Sequence, residues 1–162
     1  MAVDKDEFRR ALGNFASGVT VVTSRGEDNQ LRGLTVSAFS SVSLEPPLVL
    51  ICLDHRCSLH DFLKEGFHFA VNILAEDQQV LSNKFASRDP NRFDGINITD
   101  GATGSPLIEG AVAHIECRVV HAYPGGDHTI YVGEVEATNV TDSKPLAYFR
   151  GNYAQVQNNN QS

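Results

Sequence analysis

Small and hydroxyl-bearing side chains crowd the segment Gly33–Leu44, which otherwise has the sequence of a β-strand. Small side chains let a flat ring system approach the backbone, and hydroxyls with exposed N–H groups can donate hydrogen bonds to a phosphate or a ring carbonyl. A Ser/Thr-rich edge strand with solvated hydroxyls has the same composition, and on composition alone it is the more frequent of the two. These residues by themselves leave both interpretations open.

Three further polar residues stand where they could meet a ligand. His128 directly follows Gly126-Asp127 and opens a predicted strand, which would place an imidazole at a barrel rim, although hairpins also end on ordinary histidines. Asn72 interrupts an apolar strand, and a buried amide needs partners from a cofactor edge or a neighbouring main chain. Lys84 could neutralise a phosphate, or it could be a solvated lysine on a helix face.

Several familiar sites are missing from the sequence. No Gly-x-Gly-x-x-Gly follows a strand, and the GxxxxG at Gly13–Gly18 lacks the lysine of a P-loop. No Gly-x-Ser-x-Gly elbow supports a hydrolase. Cys52 and Cys57, with His55 and His60, have metal-ligating atoms but no recognised ligand spacing. We therefore expect no metal site and no dinucleotide fold of the Rossmann type.

Composition narrows the class of protein. The 162 residues fit one domain, predicted over residues 1–154 with a disordered Asn- and Gln-rich tail over 155–162. The net charge of −7 repels nucleic acid and anionic lipid, and no stretch approaches the roughly 18 uncharged residues that cross a bilayer. Three cysteines form no regular framework and suit a reducing compartment. We expect a soluble, cytoplasmic protein without a disulfide.

The elements that must position these residues are mainly strands. An amphipathic helix is predicted over Asp4–Gly18, a short one from Ser58, and another over Ala75–Ala86, before a long surface excursion over Ser87–Ser105. Antiparallel strands with few helices predict a mainly β protein, a β-barrel decorated by helices. The predicted strands are Val19–Ser24, Leu31–Leu44, Leu48–Leu53, Phe67–Leu74, Ala111–Tyr123, His128–Val140 and Leu146–Tyr153, the fifth and sixth forming a hairpin across Pro124–Asp127.

Five segments, in their order and approximate spacing, resemble the flavin reductase family, the short-chain NAD(P)H:flavin oxidoreductases that serve two-component monooxygenases. The likeness extends from the opening helix to about Tyr153, and the order of the segments carries it more than any single motif. The segments are Gly33–Pro47, Val71–Leu74, Lys84–Ala86, Pro106–Cys117 and Gly126–Val135.

The resemblance implies an FMN-binding split barrel that works as a homodimer. It implies hydride transfer from NADH or NADPH to FMN or FAD, with reduced flavin passed to a flavin-dependent monooxygenase. The alternative is a flavin-binding or electron-carrier protein of the same fold without catalysis. A pyridoxal-phosphate-forming oxidase of related barrel type is disfavoured by the Gly-Asp-His hairpin. The sequence leaves open which flavin and nucleotide are used, and whether flavin is a bound cofactor or a diffusible substrate.

The resemblance also assigns residues. His128 is the predicted catalytic residue, which would position or hydrogen-bond the nicotinamide carboxamide, and main-chain N–H groups of the Gly33–Ser41 segment would stabilise charge on the reduced flavin. Cys57 departs from the serine-like residue usual there, which leaves a phosphate contact from its turn open. The residues expected to contact the cofactors are Thr35, Val36, Ser37 and Ala38 along the ring, Ser40 and Ser41 near the ribityl phosphate, Asp54, Cys57, Ser58, Asn72, Lys84 and Phe85, and Gly126, Asp127, Arg150 and Tyr153 toward the nicotinamide nucleotide.

Overall fold

The structure is a computed structural model that describes residues 2–159, and these residues form two helices and twelve strands. The helices are α1 (Lys5–Leu12) and α2 (Gln79–Ala86). The strands are β1 (Ser17–Gly18), β2 (Thr20–Arg25), β3 (Leu31–Val36), β4 (Phe39–Leu44), β5 (Pro47–Asp54), β6 (His68–Ile73), β7 (Ile98–Asp100), β8 (Pro106–Ile108), β9 (Ala113–Gly125), β10 (His128–Val140), β11 (Leu146–Phe149) and β12 (Asn152–Gln155).

Seven strands form one antiparallel sheet in the order β3-β2-β6-β9-β10-β5-β4. The strands β3 and β4 follow one another in the chain but lie at opposite edges of this sheet, and only Ser37 and Ala38 connect them. Because two residues span only a few ångströms, the sheet must curl until its edges approach. The result is a barrel whose interior is filled by a core cluster that includes Val22, Val36, Ile51, Phe69, Val119 and Tyr131.

The predicted strand Leu31–Leu44 is therefore wrong as one element. Its first half pairs with β2 and its second half with β5, so the chain changes neighbours at Ser37–Ala38. The hairpin of β2 and β3 is confirmed, as is the β9–β10 hairpin, whose turn holds Gly126 at a φ of +75°. That left-handed conformation favours glycine over residues with a Cβ.

The ends of the chain differ from prediction. The side chain of Asp4 caps α1, but the helix ends at Leu12 with Gly13 as its C-cap, and Ser17 and Gly18 instead pair with β11. No residue of α1 is buried, so its expected apolar face has no partner in the described chain. The last predicted strand is a tight hairpin of β11 and β12 that turns at Arg150, with a φ of +49°, and Gly151.

Two other predictions are corrected by the structure. The segment after Ser58 forms successive turns and no α-helix. Part of the Ser87–Ser105 excursion is packed instead of solvated, since Phe93, Ile96 and Ile98 contact a second core cluster built around Phe85. Gln155 ends β12 and residues 160–162 lie outside the described part, so the extent of the disordered tail stays a prediction.

Neither helix within residues 2–159 has the length and hydropathy of a membrane span.

A nearly buried carboxylate holds the loop between β7 and β8. Glu116 on β9 accepts hydrogen bonds from the Thr103 N–H (2.7 Å), the Thr103 hydroxyl (2.6 Å) and the Ala102 N–H (3.1 Å). Burial alone would raise the pKa of Glu116, but these three donors outweigh it and hold the pKa below its ordinary value. The ionised form is therefore the one that the fold stabilises.

Replacing Glu116 with glutamine should lower the free energy of unfolding at pH 7 by about 1.5 to 3 kcal/mol, the range for hydrogen bonds to a charged group. Because the folded pKa is depressed, the native carboxylate stabilises the fold above its unfolded pKa and loses this effect as the pH falls through the folded pKa. Urea unfolding at pH 7 and pH 3 should show the difference shrinking at the lower pH. Glu109→Gln, at an exposed position, serves as control, and an unchanged Glu116→Gln stability at pH 7 would contradict the prediction.

Candidate active site

The barrel carries a cleft of about 820 Å³. It lies between the start of β3, the turn that follows β5, and the loop that follows α2, so three segments far apart in the sequence meet there. The lining residues are Leu31, Arg32, Gly33, Leu34, Asp54, Arg56, Cys57, Ser58, Ala86, Ser87, Arg88, Asp89, Pro90, Arg92 and Phe93.

Four of these lining residues are arginines, in a chain whose net charge is −7. Two of them are neutralised: Arg32 pairs with Asp28 at 2.8 Å and Arg56 pairs with Asp54 at 2.6 Å. The Arg56 guanidinium holds the pKa of Asp54 well below its usual range, so Asp54 is ionised at neutral pH. Arg88 and Arg92 have no carboxylate partner within residues 2–159, which leaves the cleft suited to an anion.

Arg92 is oriented by the main chain of β3. Its guanidinium donates to the carbonyl of Gly33 at 2.9 Å, while its Nε–H is buried and has no acceptor among the described residues. Gly33 itself is closely packed, since a Cβ there would lie 2.7 Å from Phe85 Cε1 and 2.9 Å from Phe93 Cζ. A larger residue at Gly33 would displace these two rings and the wall of the cleft.

The Ser37–Ala38 crossing between the two sheet edges presents main-chain donors. Both residues are exposed and belong to no strand. The Ala38 carbonyl accepts from the Cys52 N–H at 3.1 Å, but within residues 2–159 the N–H groups of Ser37 and Ala38 donate to no protein acceptor. Two neighbouring N–H groups beside small side chains can serve a planar ligand with carbonyl or ring-nitrogen acceptors.

The tip of the β9–β10 hairpin lies beside the end of β5. His128 stands opposite Asp54 in the pairing of β10 with β5, and the His55 N–H donates to the Asp127 carbonyl at 3.1 Å. The His128 Nδ1 lies 2.7 Å from Asp127 Oδ1, and this contact lowers the pKa of Asp127. An ionised Asp127 places the imidazole proton on Nδ1 and leaves Nε2, which bonds no described group, for a ligand.

Known proteins are similar to this chain over nearly its whole length. A family model described as the flavin reductase like domain matches residues 12–157. The reductase subunit of a flavin-dependent monooxygenase from Rhodococcus jostii is 38% identical over 157 residues, which cover 96% of this chain and 80% of that protein. The chain belongs to the flavin reductase family. An NADH-dependent FMN reductase from Agrobacterium fabrum is 43% identical, with 91% of this chain and 84% of that one covered.

The solved structures agree with this assignment to the flavin reductase family. An NADH:FAD oxidoreductase from Streptomyces globisporus, in complex with NAD and FAD fragments, superposes with a TM-score of 0.91 at 37% identity, and the match covers 99% of each chain. The flavin reductase PheA2 superposes with a TM-score of 0.86 at 37% identity, covering 96% of this chain and all of that one. The expected split-barrel fold of the family is thereby confirmed.

Some residues predicted from the flavin reductase resemblance lie together at the cleft. Asp54, Cys57 and Ser58 line it, and Asp54 links it to the hairpin of Gly126, Asp127 and His128. Cys57 is half-buried and its sulfur accepts from the His60 N–H at 3.4 Å. Burial raises the pKa of the Cys57 thiol, so it stays protonated at neutral pH. The role of each residue toward a cofactor stays a prediction.

Other predicted residues have protein partners. The Thr35 hydroxyl donates to the Ser82 carbonyl at 2.6 Å, and the Val36 side chain is buried in the barrel core. Ser40 and Ser41 lie exposed on the edge strand β4. For Thr35 and Val36, any contact with a ligand must therefore come mainly from their backbone.

Burial speaks against two of the predicted cofactor contacts, which stay predictions. Asn72 is fully buried, and its amide donates to the Val21 carbonyl and the Thr23 hydroxyl while accepting from the Ile108 N–H. Of the two partners that the sequence left open, the neighbouring main chain is the one that Asn72 has. Phe85 is also fully buried, packed edge to face on Phe93 behind the cleft wall, so its side chain does not reach a ligand.

The remaining predicted residues tie elements together. Lys84 Nζ donates to the Asp94 carbonyl and so fastens α2 to the loop after it. The Tyr153 hydroxyl bonds the Ser82 hydroxyl and Asn83 of α2, and Arg150 donates to Asn14 at 2.8 Å. The expected phosphate contact of Lys84 therefore competes with an existing hydrogen bond.

Sequence reasoning missed Arg92 altogether. Its only signal was a basic residue beside Phe93 in a long polar loop. An apolar residue in such a loop indicates that part of it folds back onto the core, but the sequence gives no means to place the neighbouring guanidinium at Gly33.

Proposed function

We propose that this protein is a flavin reductase that transfers hydride from NADH to FMN or FAD. The observation that carries this proposal is the exposed Ser37–Ala38 crossing, whose two N–H groups have no acceptor among residues 2–159. The crossing directly follows β3, the strand whose Gly33 and Leu34 line the arginine-containing cleft. Three relatives have names that specify NADH as the donor, which favours NADH over NADPH.

The residues present fit a flavin nucleotide. A cleft of about 820 Å³ lies within the range of small-ligand and cofactor sites, roughly 300 to 1,000 Å³. The Nε of Arg92 is buried and has no acceptor among residues 2–159, and a nucleotide phosphate would supply one. The crossing residues Ser37 and Ala38 would face the ring edge, and Ser58 offers a hydroxyl to the ribityl side.

Flavin and nicotinamide, when both are bound, supply the hydride chemistry itself. The protein's residues bind and orient the two rings. The N–H groups of Ser37 and Ala38, whose direction is fixed by the crossing, would stabilise negative charge that develops at the ring edge. His128, held by Asp127, positions the nicotinamide through its free Nε2 and holds its own proton on Nδ1. No nucleophilic side chain is required.

A direct assay separates this function from that of a non-catalytic flavin carrier. When purified protein is mixed with NADH and FMN, the absorbance at 340 nm should fall over many turnovers as NADH is oxidised. FAD in place of FMN, and NADPH in place of NADH, should be compared in the same assay. A carrier would change the flavin spectrum without consuming NADH. A protein that binds flavin and consumes neither nucleotide would overturn the reductase proposal.

We propose that the working unit is a homodimer that uses the edge strand β4. Leu44 is 94% exposed and Val42 49% exposed on this strand, an apolar edge that monomeric proteins rarely leave uncovered. Leu44→Asp should therefore shift the mass measured by light scattering from twice 17.7 kDa toward 17.7 kDa. The reason is that burying an unpaired carboxylate in an apolar contact costs free energy. Val80→Asp, at an exposed position on α2, should stay dimeric. A monomeric wild type would refute the dimer.

We also propose that reduced flavin is passed to a flavin-dependent monooxygenase in the cytoplasm. The relative from Rhodococcus jostii is the reductase subunit of such an enzyme. Cys52, Cys57 and Cys117 are free thiols, which suits a reducing compartment. A purified flavin-dependent monooxygenase added to the reductase reaction should hydroxylate its substrate only when NADH and flavin are both present.

A further inference from the structure

Two carboxylates flank His128 at the rim of the barrel. Asp127 precedes it in the chain and approaches its Nδ1 at 2.7 Å, while Asp54 stands opposite it in the pairing of β5 with β10. Directly opposed residues of two antiparallel strands share one face of the sheet, with Cβ atoms about 5 Å apart. The His55 N–H donates to the Asp127 carbonyl at 3.1 Å and so joins the two segments that carry the carboxylates.

Both carboxylates are ionised at neutral pH. The Arg56 guanidinium bonds Asp54 Oδ2 at 2.6 Å and the Arg56 N–H bonds Oδ1 at 2.8 Å, which holds the pKa of Asp54 well below its usual range. The contact with His128 lowers the pKa of Asp127. The imidazole therefore lies between two fixed negative charges.

The ion pair of Asp54 and Arg56 leaves its negative end at the rim. The Asp54 side chain is 28% exposed, whereas the Arg56 side chain is 86% exposed. Water and salt screen an exposed charge more than a partly buried one. The Asp54 charge is therefore only partly cancelled for a ligand that lies beside His128.

The opposite polarity is found at the Ser37–Ala38 crossing, whose N–H groups have no acceptor among residues 2–159. The Cys52 N–H, two residues before Asp54 on β5, donates to the Ala38 carbonyl at 3.1 Å. Two residues of a strand span roughly 7 Å, so the N–H donors and the carboxylates border the same small area. Two stacked rings placed there would have hydrogen-bond donors on one side and negative charge on the other.

We propose that Asp54 and Asp127 stabilise the positive charge that the nicotinamide gains when it gives up its hydride. This inference rests on the proposed function. Both electrons of the broken C–H bond move with the hydrogen to the flavin, so the nicotinamide ring is left positive and the flavin becomes negative. Fixed charges that match the charge developing in a reaction lower its barrier. The site is thus polarised in the direction of hydride transfer.

Nucleotide affinity tests this role without turnover. The probes are NAD⁺, whose nicotinamide ring is positively charged, and tetrahydro-NAD, a reduced analogue whose ring is uncharged and gives no hydride. Calorimetric titrations of the FMN-saturated protein would give a Kd for each. Asp54→Asn should weaken NAD⁺ binding about three- to tenfold and leave tetrahydro-NAD binding within about twofold, the scale of a partly screened charge several ångströms away. Asp127→Asn should act in the same direction, and Asp54→Glu, which keeps the charge, should preserve most of the NAD⁺ affinity.

Arg56→Ala should change the ratio of the two affinities in the opposite direction. Removal of the guanidinium leaves the Asp54 carboxylate without its cation, so NAD⁺ should gain about twofold or more over tetrahydro-NAD. Damage to the turn after β5 would not strengthen the binding of the charged ring alone. Melting temperatures of all variants would identify such damage directly.

Asp28→Asn is the matched control. Asp28 also pairs with an arginine of the cleft, Arg32, but it lies on the loop between β2 and β3 and not at the rim beside His128. Its ratio of NAD⁺ to tetrahydro-NAD affinity should stay close to that of the wild type.

Three results would overturn the role of the two carboxylates. Equal losses of affinity for both nucleotides in Asp54→Asn would show that Asp54 only shapes the rim. An unchanged ratio in both Asp54→Asn and Arg56→Ala would show that the charge does not act on the nicotinamide. A shift of the same size in Asp28→Asn would assign the effect to the overall charge of the protein. Failure of the FMN-saturated wild type to bind either nucleotide would instead refute the proposed function.

Discussion

Replacing His128 with alanine should lower kcat/KM for NADH by about 10- to 100-fold, the range in which a small displacement of reacting groups slows a reaction. The Kd for FMN should stay within about twofold. The imidazole stands beside Asp54 at the rim, and Asp127 fixes its orientation at 2.7 Å. Removal of the ring therefore deprives the nicotinamide of a positioning contact without touching the Ser37–Ala38 crossing.

Steady-state kinetics and a flavin titration of the same preparation would measure both quantities. His121→Ala is the matched control, because His121 lies on the same hairpin, is exposed and is remote in register from Asp54. Asp127→Asn should fall between wild type and His128→Ala, since it weakens the orientation of the ring but keeps the ring. If NADH kinetics were identical in His128→Ala and wild type, His128 would have no role in the reaction.

A phenylalanine at Ser37 or at Ala38 should weaken FMN binding by more than tenfold in at least one of the two variants. The larger side chain would overfill the contact with the flavin ring, and overpacking costs roughly 1 to 3 kcal/mol. The Phe39 N–H donates to the Ser37 carbonyl at 3.0 Å, which makes a tight turn at Ala38, so only one of the two side chains need face the ring. Both residues are exposed and lie outside any strand, and the fold should therefore tolerate either substitution.

Thermal unfolding separates a blocked site from a damaged fold, and both variants should melt within a few degrees of the wild type. Ser143→Phe, in an exposed loop, controls for the added surface hydrophobicity. Unchanged FMN affinity in both Ser37→Phe and Ala38→Phe would exclude the crossing as the ring site.

Local sequence signals predicted the elements whose formation depends on neighbours in the chain. The β9–β10 hairpin follows from two long alternating strands around Pro124–Asp127, and the N-terminus of α1 follows from a capping aspartate at Asp4. Both depend on contacts a few residues apart, and both were found close to their predicted positions. The fold class followed from the succession of such strands.

Features that depend on distant contacts escaped prediction. The segment Leu31–Leu44 has the composition of one strand, and only the opposite pairings with β2 and β5 break it at Ser37. The amide of Asn72 was expected to need partners, but its three partners come from β2 and β8. The resemblance led to the predictions for Asp54 and His128, whereas the only local signal for Arg92 is a basic residue beside Phe93 in a long polar loop.

The two-residue passage between β3 and β4 also constrains how relatives of this protein can diverge. Lengthening it would let the sheet edges drift apart, so insertions there should be rare even though the residues are solvent-accessible. The loop after α2 carries no such restriction, because its ends need not join two edges of one sheet. Changes of substrate preference should therefore accumulate in that loop, through altered length and charge, while the passage keeps its two-residue length.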